Sequence, residues 1–164
     1  MLICGRRGSG KTTLCCRLIA SPSAFKGKFD KVVLLSPTAY LSPQWRCFDM
    51  QKWDVHVTYS KDVITDLIEQ QTNYWSLFGR ERPKVLLILD DMSQSARRSV
   101  KASEVDPLAT LASNGRHLDI SIIMMGQQFT QCCPALRSNA DVIVAYASHN
   151  LRDNVALYNS ACPQ

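Results

Sequence analysis

The sequence of 164 residues predicts an α/β domain with a mainly parallel sheet and flanking helices. The first observation is that apolar runs of strand type alternate with segments of helical periodicity, the pattern of right-handed β–α–β crossovers. The second is that a glycine-rich loop, a pair of carboxylates and an amide each directly follow one of these apolar runs. Ligand groups collect at the carboxyl ends of parallel strands, so we expect these three features to meet at one edge of the sheet.

The first half of the chain alternates strand and helix. The apolar run at 1–4 is predicted to be a short buried strand, and 11–20 follows as a helix. The run at 31–35 is rich in β-branched residues and a proline stops it, so we expect a second strand. Apolar residues alternate with polar ones in 54–60, which indicates a third strand nearer an edge of the sheet. The polar, aromatic connection at 42–53 has room for one or two helical turns.

The second half continues the alternation and ends in a helix. Apolar residues recur at helical intervals in 61–80, and Gly79 is the predicted C-cap of that helix. The continuous apolar run at 85–91 is typical of a central parallel strand. The polar, basic segment 93–106 lacks periodicity, so we expect a mobile loop there. The remaining predicted elements are a helix at 107–117, strands at 119–127 and 141–146, and a terminal helix at 150–161.

The composition restricts the class of protein. With 46% hydrophobic residues, a chain of this length can bury a substantial core, so we expect a single domain over residues 1–164. No stretch approaches the roughly 18 continuous apolar residues that a membrane-spanning helix needs, and no secretory signal is visible. The seven cysteines form no C-x-x-C pair, which disfavours a zinc site and a disulfide framework and favours a reducing, intracellular compartment. The net charge of +5 permits a polyanionic partner without requiring one.

The segment "GRRGSGKTT" lies between the first strand and the first helix and fits the pattern G-x-x-x-x-G-K-[ST]. Glycines there let successive backbone N–H groups point at an anion, and the N-terminus of the helix adds positive potential. Lys11 would reach the β- and γ-phosphates of a bound nucleotide, and the hydroxyl of Thr12 would ligate Mg²⁺. A chance glycine turn is the alternative, and the order of strand, loop and helix disfavours it. The predicted nucleotide-binding residues are Gly5, Gly8, Ser9, Gly10, Lys11, Thr12 and Thr13.

Polar side chains with catalytic potential follow two later strands. Asp90 comes after five apolar residues and is the expected second ligand of Mg²⁺, opposite Thr12. Asp91 points to the other side of the strand and is expected to polarise an attacking water, with capping of the next turn as its alternative role. Gln127 follows the next buried run and could hydrogen-bond both the γ-phosphate and that water. Gln128 beside it leaves the assignment of this glutamine open by one residue.

Two basic groups are candidates for contacts outside the nucleotide site of their own subunit. Arg116 lies just before the strand that ends at Gln127, at the edge of the sheet opposite the predicted phosphates. It is therefore expected to reach the γ-phosphate of a neighbouring subunit in a ring, as an arginine finger does. A solvated arginine near a helix end is an equally good interpretation, and Arg137 is the competing candidate. The basic segment 96–101, "ARRSVK", is the best candidate for a DNA contact, with a solvated segment as its alternative.

The aromatic and histidine residues are assigned no chemistry. The tryptophans Trp45, Trp53 and Trp75 are expected to pack in the protein rather than to stack on bases. The three histidines are scattered and show no metal-ligand spacing.

Four segments, in order along the chain, carry a resemblance to a known family: "GRRGSGKTT", "VLLILDDM", "GRHLDISIIMMGQQ" and "PALRSNADVIVAY". Together they resemble the FtsK/HerA superfamily of ring-forming, DNA-pumping ATPases. Within it they look most like the poxvirus-type genome-packaging ATPases of large eukaryotic DNA viruses and their relatives in virus-like transposons. The resemblance implies a P-loop NTPase with an ASCE/RecA-like core. It also implies that a homo-oligomeric ring uses ATP to move double-stranded DNA into a capsid, in the host cytoplasm or the virion, with capsid proteins as candidate partners.

The resemblance also implies a role for each matching residue. The implied roles are phosphate and Mg²⁺ binding for Lys11 and Thr12, the metal carboxylate for Asp90, a trans-acting finger for Arg116 and the sensor glutamine for Gln127. Asp91 departs from the common pattern, in which this acid is often Glu. Its shorter side chain has to sit closer to the attacking water or act through a second water.

Three alternative functions can be compared with the residues present: a GTPase, a small-molecule kinase and a nucleotide-binding switch. A GTPase is disfavoured because the sequence has no N-K-x-D motif to read guanine. A small-molecule kinase leaves the paired acids and the sensor glutamine without a purpose. A nucleotide-binding switch or assembly subunit with little hydrolysis is the third alternative, and the aspartate at position 91 keeps it open.

Overall fold

A computed structural model describes residues 1–78, 81–92 and 106–161 of the chain. These residues form a six-stranded sheet in which every neighbouring pair of strands is parallel. The strands are β1 (Leu2–Cys4), β2 (Lys31–Leu35), β3 (Asp54–His56), β4 (Val85–Asp90), β5 (Ile120–Gly126) and β6 (Ile143–Ala145). Their order across the sheet is β3-β2-β4-β5-β1-β6. The predicted α/β fold with a parallel sheet is confirmed.

The described α-helices cover both faces of this sheet. They are α1 (Lys11–Ala20), α2 (Lys61–Phe78), α3 (Pro107–Asn114), α4 (Pro134–Ser138) and α5 (Leu151–Ala161). Cys15 and Ile19 of α1 are buried on one face, in a core that also contains Ile88 of β4. Leu108 of α3 and Leu136 of α4 belong to the core on the opposite face, which α2 also joins. The sheet is therefore the middle layer of three.

The central strand β4 shows why its sequence is a continuous apolar run. Leu86 and Ile88 belong to the core on the α1 side, whereas Val85, Leu87 and Leu89 belong to the core on the other side. All five side chains are buried. Burying such a side chain contributes about 1.5–3 kcal/mol, so a strand covered on both faces gains from an apolar residue at every position.

Two of the predicted strands are shorter by three or more residues in the structure. The third strand ends at His56 instead of reaching residue 60, and Val57 is exposed. It pairs with β2 alone and lies at the edge of the sheet, as expected from its alternating pattern. Likewise, β6 occupies three residues of the predicted 141–146. Both are edge strands, which pair with a neighbour on one side only.

Helix α4 is absent from the sequence prediction. Pro134 occupies its first turn, which is a position that favours proline, but a helix of five residues is too short to show periodicity. The helical turns expected in 42–53 are present as two 3₁₀ turns, Trp45–Cys47 and Met50–Lys52.

Some predictions concern residues that the structure does not describe. The C-cap Gly79, the segment 93–105 with its basic stretch 96–101, and the side chain of Trp75 all lie outside the described residues. Within the described ranges, no helix is both long enough and apolar enough to cross a bilayer.

The topology brings the predicted functional segments together at the carboxyl ends of the strands. All strands of a parallel sheet end on the same side, so the residues that follow β1, β4, β5 and β6 are neighbours at these carboxyl ends. Because β1 lies between β5 and β6, the glycine loop after β1 is flanked by Gln127 on one side and Tyr146 on the other.

Candidate functional site

The glycine loop has a backbone shape that other residues would strain. Gly8 and Gly10 have φ angles of 77° and 94°, in the region that L-residues with a side chain rarely adopt. Gly5 is needed for a different reason. A Cβ atom there would lie 2.7 Å from Cβ of Tyr146 and 2.8 Å from Oγ of Ser9, which is too close. The loop can therefore hold its curvature only with glycine at these three predicted positions.

The side chain of Lys11 closes the loop from inside. Its Nζ donates to the carbonyl oxygen of Gly5 at 2.7 Å and to that of Arg6 at 3.0 Å, and the residue is buried. An ammonium group carries three donors, so two bonds to the loop leave one N–H for a phosphate oxygen. The structure thus holds this positive charge at the centre of the loop.

The N-terminus of α1 offers free donors to an anion. Its N-cap is Gly10, which has no side chain to cap the first turn, so the backbone N–H groups of Thr12 and Thr13 face outward from the helix end. Oγ of Ser9 is buried and has no hydrogen-bond partner. Unpaired buried donors are costly, and a triphosphate supplies the acceptors that these groups need. The residues present therefore fit a nucleotide phosphate chain.

Asp90 is the last residue of β4 and its side chain is buried, with 5% of the residue exposed. Its Oδ2 accepts hydrogen bonds from Oγ of Ser36 at 3.1 Å and from Nε1 of Trp45 at 3.2 Å. Burial raises the pKa of Asp90, and these two donors oppose that rise because they stabilise the ionised carboxylate. With Oδ2 held in this way, Oδ1 is the oxygen available to Mg²⁺ or its water, and Thr12 is the predicted ligand on the loop.

Ser36 and Trp45 were not predicted as site residues. Ser36 directly follows β2, whose last residue pairs with Leu89, so the strand register brings it beside Asp90. Trp45 is fully buried and packs against Trp53, as predicted, and its indole N–H also reaches the site. The position of Ser36 after a strand is a weak sequence signal. No local signal marks Trp45.

Asp91 and Gln127 are brought together by the ends of β4 and β5. Asp91 has a φ of 55°, which turns its side chain out of the strand direction, and its backbone N–H donates to the carbonyl of Met125 at 3.1 Å. Nε2 of Gln127 donates to Oδ2 of Asp91 at 2.9 Å. Gln128 instead accepts a hydrogen bond from Gln131. Of the two glutamines, Gln127 is therefore the one that lies beside the acid.

Arg116 lies where the sequence analysis predicted it, at the amino ends of the strands, opposite the glycine loop. It belongs to a 3₁₀ turn, Gly115–Leu118, that leads into the start of β5, and its guanidinium forms a 3.2 Å ion pair with Asp141 before β6. It is exposed and lines a cavity of about 560 Å³ at this edge. This cavity is separate from the glycine loop, so Arg116 does not join the other predicted residues within one subunit.

Arg137 has a different environment. Its guanidinium lies 5.5 Å from the centre of the Phe129 ring, and its Nε is buried without a hydrogen-bond partner. The stacking holds this arginine against its own subunit, whereas Arg116 extends from the surface.

The sequence is similar to those of viral proteins. The profile of a family described as poxvirus A32 protein matches residues 1–160. A curated relative, the uncharacterized protein 015R of frog virus 3 (isolate Goorha), is 22% identical over 163 residues, which are 92% of this chain and 44% of the relative. The chain thus spans less than half the length of that relative.

Solved structures of a protein called B204 have the same fold. The DNA-packaging ATPase B204 from Sulfolobus turreted icosahedral virus has a TM-score of 0.68 and 16% identity, covering 97% of this chain and 80% of that one. The genome packaging NTPase B204 from Sulfolobus turreted icosahedral virus 2, in complex with ATP-γS, has a TM-score of 0.64 and 16% identity, covering 98% and 81%.

Proposed function

Because this chain belongs to the poxvirus A32 protein family, we propose that it is the ATPase domain of a genome-packaging machine and uses ATP to move double-stranded DNA. The observation that carries the proposal is that the glycine loop, Asp90 and the Asp91–Gln127 pair meet at one edge of the sheet. The description of B204, which shares the fold, as a DNA-packaging ATPase supports it.

Binding of the nucleotide is assigned to the loop and the start of α1. The backbone N–H groups from Gly8 to Thr13 would surround the phosphates, and Lys11 would contact the γ-phosphate. Mg²⁺ would be held by Thr12 and Asp90, and it would neutralise charge shared by the β- and γ-phosphates. The buried, unpaired Oγ of Ser9 and the uncapped N-terminus of α1 support this assignment.

Hydrolysis is assigned to Asp91 and Gln127. Oδ2 of Asp91 already accepts from Gln127, which orients the carboxylate and leaves Oδ1 free for a water. That water would attack the γ-phosphorus while the bond to the ADP oxygen breaks, and its proton would pass to Asp91, giving ADP and inorganic phosphate. The amide of Gln127 would change partners when the γ-phosphate is lost, which makes it a sensor of the bound nucleotide.

Assembly into a ring is assigned to the face that carries Arg116. This arginine is on the opposite edge from the loop of its own subunit, so a head-to-tail contact is needed to bring it to a phosphate. Its exposure supports such a contact, although the ion pair with Asp141 would have to open. The proposed DNA contact, in residues 96–101, lies outside the described residues.

The proposal is tested by the ATPase rate with and without double-stranded DNA, measured together with the size of the particle in solution. We expect DNA to raise the rate of an oligomer. Lys11→Ala should remove nearly all activity and keep a native circular dichroism spectrum, because Lys11 provides charge where it develops in the transition state. Lys52→Ala, a change at an exposed lysine just before the edge strand β3 and away from both the loop and Arg116, is the matched control and should keep the wild-type rate.

Three outcomes would contradict the proposal. A folded Lys11→Ala variant with normal turnover would place the chemistry elsewhere. ATP binding with negligible turnover, with and without DNA, would favour a nucleotide-binding switch. Transfer of phosphate to an added small acceptor would favour a kinase.

A further inference from the structure

The phenol ring of Tyr146 lies across the glycine loop. The parallel pairing of β1 with β6 sets Cys4 opposite Ala145, so the next residues, Gly5 and Tyr146, are also neighbours. The ladder continues there, because the backbone N–H of Tyr146 donates to the carbonyl of Cys4 at 2.8 Å. Tyr146 is thus fixed beside the first residue of the loop by backbone pairing.

The ring reaches from the first glycine of the loop to the last. A Cβ atom on Gly5 would lie 2.7 Å from Cβ and 3.0 Å from Cδ2 of Tyr146. The corresponding position at Gly10 lies 3.7 Å from the phenol oxygen of Tyr146. The oxygen end of the ring is therefore close to the N-cap of α1, where the phosphate chain is proposed to enter. Tyr146 is half-buried, so part of the residue packs against the core on the α1 side and part remains exposed to solvent, and Ala147 after it is exposed.

The order of the strands gives the triphosphate a direction. Asp90, Asp91 and Gln127 follow β4 and β5, on one side of the loop, and they are the groups assigned to the metal and the γ-phosphate. Tyr146 follows β6, on the other side. A triphosphate whose γ end lies toward the acids has its α-phosphate and nucleoside toward β6.

We propose that Tyr146 is the nucleoside contact of this site, with the sugar or base of ATP packed on its ring. The inference rests on the proposed nucleotide binding. An aromatic face suits this role because it binds the flat apolar surface of a base, and the phenol oxygen can donate to or accept from the nucleoside.

The test compares two ligands that differ by the nucleoside, ATP and inorganic tripolyphosphate, each titrated with Mg²⁺ by calorimetry. Tyr146→Ala should lower the affinity for ATP on the order of ten-fold, the effect expected for loss of one stacking contact, and leave the affinity for tripolyphosphate within about two-fold. Tyr146→Phe keeps the ring and should bind ATP within a few-fold of wild type. Tyr158→Ala, at an exposed tyrosine of α5, is the matched control and should change neither affinity.

Two results would overturn the inference. Equal losses for ATP and tripolyphosphate would show that Tyr146 supports the loop without touching the nucleoside, and unchanged affinities would remove it from the site. If Tyr146→Ala does not fold, Tyr146→Leu fills the space beside Gly5 without a flat ring and should show the same ATP-selective loss. A wild-type chain that binds neither ligand would instead refute the proposed function, so the two failures are distinguishable.

Discussion

Replacing Trp45 with phenylalanine removes one of the two hydrogen bonds that Asp90 accepts and keeps an aromatic ring in the core. The indole Nε1 lies 3.2 Å from Oδ2 of Asp90, and Oγ of Ser36 lies 3.1 Å from the same oxygen. Burial raises the pKa of Asp90, and both donors oppose that rise. Losing one donor therefore raises the pKa of Asp90 further and leaves a smaller ionised fraction to hold Mg²⁺.

The size of the effect follows from the bond that is lost. A hydrogen bond to a charged group contributes about 1.5–3 kcal/mol, which corresponds to roughly 10- to 150-fold in an equilibrium constant. We expect Trp45→Phe to lower Mg²⁺-dependent ATP turnover by roughly 10- to 150-fold at mildly acidic pH. Because a carboxylate ionises as the pH rises, the loss should shrink in alkaline buffer, and the acid limb of the pH–rate profile should move to higher pH.

The assay is the ATPase rate across the pH range in which circular dichroism shows the variant to be folded. Trp53→Phe is the matched control, because it removes an indole from the same aromatic cluster and leaves both donors to Asp90 in place. Ser36→Ala removes the other donor and should move the acid limb in the same direction. A folded Trp45→Phe variant with an unshifted acid limb, or an equal shift in Trp53→Phe, would refute the reasoning.

Three further predictions concern the acids and the arginine. Asp91→Asn should lose hydrolysis and keep ATP binding, whereas Asp90→Asn should weaken Mg²⁺-dependent binding as well; equal effects of both on nucleotide affinity would contradict this division. Because the folded-state pKa of Asp90 is raised, its ionisation destabilises the fold once the pH rises through that pKa. Asp90→Asn should therefore raise the thermal midpoint of the nucleotide-free chain at neutral pH, with a difference that shrinks in acid, and a lower midpoint would count against it. Arg116→Ala should bind ATP normally and hydrolyse it on the order of 10³-fold more slowly. Mixing it with Lys11→Ala protein should restore activity, since one supplies the loop and the other the arginine; no rescue despite co-assembly would refute a finger acting in trans.

Motif spacing predicted the parts of the site that are local in sequence. The loop at 5–13 and the acid that ends β4 both depend on a few adjacent residues, and the family match confirms the resemblance to the poxvirus-type packaging ATPases. Motif spacing did not distinguish Gln127 from Gln128 as the glutamine that lies beside the acid. It depends on the residue at which β5 ends, because a shift of one position sends the side chain to the other side.

The residues that the sequence did not reveal act through distant contacts. Trp45 reaches Asp90 only because the connection after β2 folds back over the strand ends. Tyr146 was predicted as part of the last strand, and its position beside Gly5 follows from the pairing of β1 with β6. Such contacts are set by strand order and packing, which local patterns do not encode.

The position of β1 also determines when the proposed nucleotide site can form during synthesis. Its two partners are β5 and β6, so Leu2 pairs with Met124 on one side and with Ile143 on the other. Pairings between residues so far apart in sequence form slowly, because a long stretch of chain has to be ordered to bring them together. During synthesis, β1 therefore has neither of these partners until β5 has emerged, and its other side stays open until β6 follows. We therefore expect the glycine loop to reach its place between Gln127 and Tyr146 only after both strands have been made.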